Sequence, residues 1–103
     1  MNKDFTSYYA VIFTSKHSAN LEGYQKTSER MEKLVKKQAG FLGMDTAKSE
    51  IGITISYWDS LESIKNWKQN LEHQIAQKSG KDKWYKNYNV RICEVIKEYS
   101  FNK

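Results

Sequence analysis

The sequence predicts a small α+β domain in which two helices cover one face of a four-stranded antiparallel sheet. Segments rich in β-branched and aromatic residues alternate with segments whose apolar residues recur at spacings of three and four. A chain of 103 residues is long enough for one domain and too short for two. Residues 1–103 are therefore expected to fold as a single domain.

The first predicted strand, residues 7–14, carries bulky apolar side chains on both faces. Successive strand residues point to opposite sides of a sheet, and the two sets here are Tyr9, Val11 and Phe13, and Tyr8, Ala10 and Ile12. A strand of this kind needs cover on both faces. Since the helices cover only one face, the pattern predicts a second sheet packed on the other.

A helix and a hairpin follow the first strand. Ser18 and Asn20 are candidate caps for a helix that runs to about Gln38. Strands over residues 42–49 and 53–58, joined by a tight turn, are expected to pair antiparallel.

The last part of the chain adds a helix and a strand. Asp59 and Glu62 are spaced as a capping box, and the helix that they start continues to about Ser79. A final strand is expected over residues 89–99. The resulting order, β-α-β-β-α-β, is the split βαβ or ferredoxin-like arrangement.

Charge and cysteine content argue against several classes of function. Basic residues outnumber acidic ones by 17 to 12, but all of them except Arg30 and Arg91 are lysines. Recognition of phosphates and bases favours the guanidinium fork of arginine, so no nucleic-acid partner is expected. The single cysteine, Cys93, excludes an internal disulfide and shares no metal-ligand spacing with the two histidines, so no metal is expected.

No membrane partner is expected either. No apolar run is long enough to span a bilayer, and the first residues lack the apolar core of a signal peptide. We therefore expect a cytoplasmic protein.

Two residues of the second helix are candidates for chemistry. Trp67 lies on the inward apolar stripe, either as a core residue or as the wall of a pocket for a planar ligand. His73 follows six residues later, which at about 100° per residue places it roughly 240° further round the helix, on a polar face with Asn70. It is either a solvated or interface histidine or the acid-base group of a site.

Other aromatic and basic residues could complete such a site. Trp84, Tyr85 and Tyr88 either cap the core or line a cavity mouth, where phenols can hydrogen-bond a polar substrate. Arg91 is a surface residue or the partner of a carboxylate, enolate or phenolate. Phe41 belongs to the core or to a pocket wall. No nucleotide-binding fingerprint occurs, so no cofactor is expected.

Several segments together resemble the antibiotic biosynthesis monooxygenase domain, namely residues 40–44, 52–58 and 61–64, with Trp67 and Lys68. The resemblance extends over residues 8–101 and implies a homodimer whose two sheets form a dimeric α+β barrel. It also implies a cofactor-independent monooxygenase acting on a small phenolic, anthrone or quinol-like molecule. Trp67 best matches the pocket tryptophan of the family.

The resemblance suggests roles for further residues. His73, Tyr85, Tyr88 and Arg91 match a bacterial branch of the family. We infer two groups of site residues: His73, Tyr85 and Arg91 in catalysis, and Phe41, Trp67, Trp84 and Tyr88 in substrate binding.

Other functions of the same fold are open at this point. One is a non-catalytic dimer that binds a small molecule, as in a stress response, and another is a purely structural role. Haem-degrading relatives need an asparagine on the first strand and an axial histidine nearly three turns after the tryptophan. Here the strand has no asparagine and Gln77 stands at the second position, so haem degradation is not favoured.

Overall fold

The computed structural model describes residues 5–103, apart from the side chain of Leu71, and has the predicted α+β architecture. Residues 1–4 of the predicted domain lie outside this part. The elements in chain order are β1 (Tyr8–His17), α1 (Tyr24–Val35), β2 (Phe41–Lys48), β3 (Gly52–Trp58), α2 (Leu61–Gln69), α3 (Leu71–Ser79) and β4 (Tyr85–Val95). The helix predicted after β3 is thus two helices, and a π-helical turn, Gly80–Trp84, connects α3 to β4.

The four strands form one antiparallel sheet in the order β2-β3-β1-β4. The two central strands are β1 and β3, in which Tyr9 lies opposite Trp58 and Ile12 opposite Ile55. This is the ferredoxin-like topology that the sequence predicts.

The two faces of the sheet have different surroundings. Val11 packs with the buried core residues Val35 and Ile64 from α1 and α2, so its side of the sheet bears the helices. Ile12, the next residue along β1, points to the other side. Two further apolar residues share this open face: Ile53 and Ile55. The prediction that β1 is apolar on both faces is confirmed.

Helix α1 begins later than predicted, because its expected capping residues have other partners. Ser18 accepts a hydrogen bond from the Asn20 backbone N–H, and its hydroxyl donates to the carbonyl of Lys83. The helix instead follows Gly23, which has a φ of 78° and makes no side-chain cap. These contacts fasten the β1–α1 connection to the π-helical turn before β4.

The ends of α2 and β4 also differ from the predictions. Ser60 caps α2 by accepting the N–H of Ser63 at 3.1 Å. The predicted cap, Asp59, accepts the Ser63 hydroxyl at 2.8 Å instead. Strand β4 begins at Tyr85, four residues earlier than expected, because the segment from Tyr85 already pairs with the end of β1.

The core between the helices and the sheet is small and aromatic. Trp58 is fully buried, and its indole N–H donates to the Ser56 hydroxyl at 2.9 Å. Partly buried apolar residues surround it, among them Tyr9, Met44 and Trp67. Among the described residues, no helix is long and apolar enough to cross a membrane.

Candidate functional site

The candidate site around Trp67 and His73 depends on a break in the helical segment after β3. Helix α2 ends at Gln69, and Asn70 has an extended conformation with φ −60° and ψ 128°. The Asn70 side chain then caps α3 by accepting the backbone N–H of His73 at 3.2 Å. Asparagine is favoured at such positions because its side-chain oxygen replaces a backbone acceptor that the first helical turn lacks. Helix α3 therefore starts in a new direction.

The break brings the ring of His73 onto that of Trp67. The ring centroids are 4.3 Å apart and the planes are inclined by 14°, so the two rings stack. Sequence periodicity placed His73 on a separate polar face of one continuous helix, and this placement is wrong because the helix is interrupted at Asn70. The interruption could have been suspected from the capping preference of asparagine, but helical periodicity alone did not show it.

A hydrogen bond defines which nitrogen of His73 carries the proton. Nδ1 lies 3.1 Å from the backbone carbonyl oxygen of Trp67. A carbonyl oxygen can only accept, so Nδ1 is the donor, and in the neutral ring Nε2 keeps its lone pair. The arrangement presents Nε2 of His73 as a potential base.

The surroundings of His73 favour its neutral form. Burial lowers the pKa of the imidazole, since a partly desolvated ring is harder to charge. The hydrogen bond to the Trp67 carbonyl raises this pKa, and the nearby ammonium of Lys68 lowers it. The net direction is downward, so His73 is available as a proton acceptor near neutral pH.

Two more aromatic rings extend the stack into the core. The Trp58 ring lies 6.4 Å from that of Trp67, with planes inclined by 28°. Phe41 meets Trp58 edge-on at 5.4 Å. Phe41, Trp58, Trp67 and His73 thus form a continuous row, which we call the aromatic row. Phe41 joins it through Trp58, a residue that sequence reasoning did not assign to the site.

Tyr85 and Tyr88 belong to a second cluster on the same side of the sheet. Both rings contact Phe13 of β1, at 5.4 Å and 5.1 Å between centroids. Trp84 is buried beside them and donates its indole N–H to the carbonyl of Glu22 at 2.7 Å. That bond anchors Trp84 to the segment before α1.

His17, Tyr24 and Lys48 complete this second cluster. The His17 ring lies 4.6 Å from that of Tyr24, and the Lys48 ammonium donates to the Tyr24 hydroxyl at 3.2 Å. Burial raises the pKa of Tyr85, and the neighbouring phenols of Tyr24 and Tyr88 raise it further. Sequence reasoning missed His17 and Tyr24, because residues from three distant segments meet here only in the fold.

The two clusters lie towards opposite ends of the helix-bearing face. Tyr9 packs beside the aromatic row and Phe13 belongs to the second cluster. These residues are four positions apart on β1, which corresponds to about 13 Å along a strand. The predicted site residues are therefore split into two groups on one face, with Val11 of β1 between them.

Arg91 lies on the other face of the sheet. It pairs with Ile12 in the β1–β4 ladder, so its side chain shares the open face and is exposed. Within one chain the structure does not bring Arg91 to either aromatic cluster.

Concave regions of the surface lie on the outer side of the helices. One of them, with a volume of about 240 Å³, lies between α1 and α3 and is lined in part by Arg30, Met31 and Ile75. Arg30 also makes two hydrogen bonds to Glu72, at 2.8 Å and 3.0 Å, and so connects the two helices. Neither Trp67 nor His73 is among the lining residues. In residues 5–103, no three or more acidic, histidine or cysteine side chains are placed to share a metal ion.

A comparison with curated proteins found a close relative. Over 96 residues the chain is 45% identical to the uncharacterised protein YqjZ of Bacillus subtilis. The aligned region covers 91% of this chain and 84% of that protein. No family profile matches the chain.

Solved structures share the fold at low sequence identity. Protein Rv0793 of Mycobacterium tuberculosis superposes with a TM-score of 0.79 at 11% identity, covering 92% of this chain and all of that one. A Caulobacter crescentus protein provisionally named an antibiotic biosynthesis monooxygenase gives 0.76 at 14% identity, covering 90% and 93% of the two chains. A Nitrosomonas europaea protein with the same provisional name gives 0.72 at 9% identity, covering 93% and 96%.

Proposed function

Since this chain belongs to the family of Bacillus subtilis YqjZ and has the fold of the antibiotic biosynthesis monooxygenase domain, we propose that it is a cofactor-independent oxygenase. Its substrate is a small aromatic molecule of the phenolic, anthrone or quinol type. The observation that carries this proposal is the His73 imidazole, stacked on Trp67 and hydrogen-bonded through Nδ1 to the Trp67 carbonyl.

The proposed reaction needs little from the protein beyond a base and a dry surface. Nε2 of His73 removes a proton from the substrate, and the resulting anion donates electrons to O2 directly. For an anthrone, the two hydrogens of the reacting methylene and one oxygen atom leave as water. The other oxygen becomes the new carbonyl, so no external reductant is required. The aromatic row keeps water from the anion.

The second cluster supplies the hydrogen-bond donors of the proposed site. Because the pKa of Tyr85 is raised, its phenol stays protonated and can donate to a substrate oxygen. Tyr88 stacks beside it on Phe13.

We further propose that the protein is a homodimer that pairs its sheets through the open face. Ile12, Ile53 and Ile55 form an apolar surface there, and an apolar sheet face is stabilised by a second sheet. Arg91 shares this face, so a role in holding a substrate anion would require the site to extend to it.

The dimer can be tested by sedimentation velocity. Ile53→Glu should convert a dimer to monomers, whereas Leu61→Glu, at an exposed apolar position on the helix side, should not. A monomeric wild-type protein would refute the dimer.

Oxygen consumption by metal-free protein with a panel of anthrones and hydroquinones tests the oxygenase proposal. His73→Asn keeps an N–H group for the Trp67 carbonyl but lacks the base, and should reduce turnover by on the order of a hundredfold or more. Gln74→Asn, on an exposed neighbour in α3, is the matched control. The absence of turnover by the wild type across the whole panel would rule out the proposal.

A second candidate function is non-catalytic binding of a small molecule. It is favoured by the aromatic rings of the two clusters, which offer stacking surfaces to a planar ligand without requiring a base. The variants His73→Asn, Tyr85→Phe and Arg91→Ala separate the two functions. If these variants change ligand affinity and the wild type turns over none of the panel, the protein is a binding dimer.

A further inference from the structure

We propose that Asn70 is a positioning residue for His73, because its side chain sets the break between α2 and α3 and thereby fixes the orientation and tautomer of the imidazole. The inference rests on the proposed function of His73 as a base. Its geometric part concerns the protein alone, so it can be tested without a substrate.

The stack of His73 on Trp67 is incompatible with one continuous helix. Six residues of α-helix separate two Cα atoms by about 9 Å along the axis and turn the second side chain by roughly 240°. The observed ring centroids are 4.3 Å apart. The extended backbone of Asn70, with ψ at 128°, removes this separation. The stack therefore depends on the break at that residue.

Hydrogen bonds connect Asn70, Trp67 and His73 in a closed arrangement. The Asn70 backbone N–H donates to the Trp67 carbonyl at 3.0 Å, and Nδ1 of His73 lies 3.1 Å from the same oxygen. The Asn70 side chain in turn accepts the His73 backbone N–H at 3.2 Å. A carbonyl oxygen has two lone pairs and can accept both donors. Asn70 thus holds the backbone of His73 while the Trp67 carbonyl holds its ring.

The charged groups near His73 do not provide an alternative means of positioning. Glu72 is adjacent in sequence, but its carboxylate is engaged by the guanidinium of Arg30 from α1, at 2.8 Å and 3.0 Å. Lys68 from α2 repels a protonated imidazole. Among the described groups around the ring, the Trp67 carbonyl is the one that raises the His73 pKa, so the Nδ1–H tautomer depends on that carbonyl and on the cap.

The test compares two cap substitutions that have the same chemistry. Asn70→Ala removes the cap of α3, and Ser60→Ala removes the cap of α2, which lies away from His73. Nitrogen NMR of the imidazole gives the tautomer, and a proton NMR titration gives the pKa. The His73 signals are identified by their loss in His73→Asn.

We expect Asn70→Ala to depopulate the Nδ1–H tautomer and to move the His73 pKa up toward its ordinary value. Ser60→Ala should change neither quantity, and Asn70→Ser, which restores a capping oxygen, should recover both. Asn70→Gly tolerates the break without supplying an oxygen, and it replaces the alanine variant if that variant does not fold. With an anthrone or hydroquinone that the wild type turns over, Asn70→Ala should lower kcat on the order of tenfold to a hundredfold, with little change in KM.

An unchanged tautomer and pKa in Asn70→Ala and Asn70→Gly would overturn the inference, as would equal shifts in Ser60→Ala. These NMR outcomes are independent of turnover. A wild-type protein that turns over no substrate would refute the proposed oxygenase function and leave the positioning result standing.

Discussion

The indole rings of Trp58 and Trp67 lie 6.4 Å apart and nearly parallel, yet only one of them is a full member of the core. Trp58 is 0% exposed and its N–H is satisfied by Ser56, whereas Trp67 is only partly buried. The two neighbouring rings therefore bury different fractions of their surface, and Trp58 contributes more to the stability of the fold. Under the proposed function, this difference in burial distinguishes Trp58 as a core residue from Trp67 as a wall of the site.

Alanine at the two tryptophans should have unequal effects on stability. Trp58→Ala removes a fully buried ring and should lower the free energy of unfolding by about 3–5 kcal/mol. Trp67→Ala should cost less, because part of its surface is already in water, but it should remove the stack on His73 and any turnover. Urea unfolding measures the first effect and oxygen consumption the second. Equal stability losses would show that Trp67 is an ordinary core residue.

Stability should fall as the pH decreases below about 6.5, the ordinary value for histidine. The pKa values of His73 and His17 are both lowered in the folded protein, chiefly by burial. The unfolded chain therefore binds protons at a higher pH than the folded one, so falling pH favours unfolding until the folded pKa is passed. Lys48 adds to the effect at His17.

Thermal unfolding between about pH 7.5 and pH 5 measures this dependence. His73→Asn should flatten the curve more than His17→Asn, because His73 is the more buried ring. A wild-type curve that is flat over this interval would contradict the environment assigned to His73.

The phenol of Tyr85 should remain protonated when the pH is raised to about 11, because burial and the phenols of Tyr24 and Tyr88 raise its pKa. Ultraviolet absorbance of phenolate should then rise equally in the wild type and in Tyr85→Phe. In denaturant, where burial is lost, the variant should show one phenolate fewer. A smaller rise in the folded variant would mean that Tyr85 is accessible to water.

Gly40→Ala should destabilise the protein by more than about 1 kcal/mol, because two effects act at this position. Gly40 has a φ of 85°, which residues with a Cβ rarely adopt. A Cβ there would also overlap the side chains of Ser63 and Asp59 at the start of α2. Thermal unfolding of Gly40→Ala and of Gly40→Ala/Ser63→Ala tests both effects. The double variant should recover only part of the loss, since the backbone strain remains.

Elements with a strong local signal were predicted well. The hairpin of β2 and β3 and the ferredoxin-like order are confirmed, because alternating apolar residues specify which strand face is buried. Predictions of helix ends were less accurate. Ser18 and Asp59 are good capping residues, but the Ser18 hydroxyl bonds to the Lys83 carbonyl of the π-helical turn, and the Asp59 carboxylate accepts the hydroxyl of nearby Ser63.

The candidate site could be predicted in composition but not in arrangement. Trp67 and Phe41 follow from their positions in apolar segments, and the structure joins them through Trp58. The position of the His73 side chain could not be predicted from helical periodicity, because the extended backbone of Asn70 gives α3 a different direction from α2. The side of the sheet on which Arg91 lies depends on the register of β4 against β1, which its own segment does not reveal.

The sequence by itself determined the α+β fold class and the aromatic character of the helix-bearing face, since both depend on the spacing of apolar residues along single elements. Only the tertiary structure decided that Trp67 and His73 share a stack, that Tyr85 and Tyr88 lie towards the other end of the same face, and that Arg91 is on the opposite one. The physical reason is that side-chain proximity between elements is set by strand register and by the backbone angles of connecting residues such as Asn70. A periodic pattern constrains neither of these.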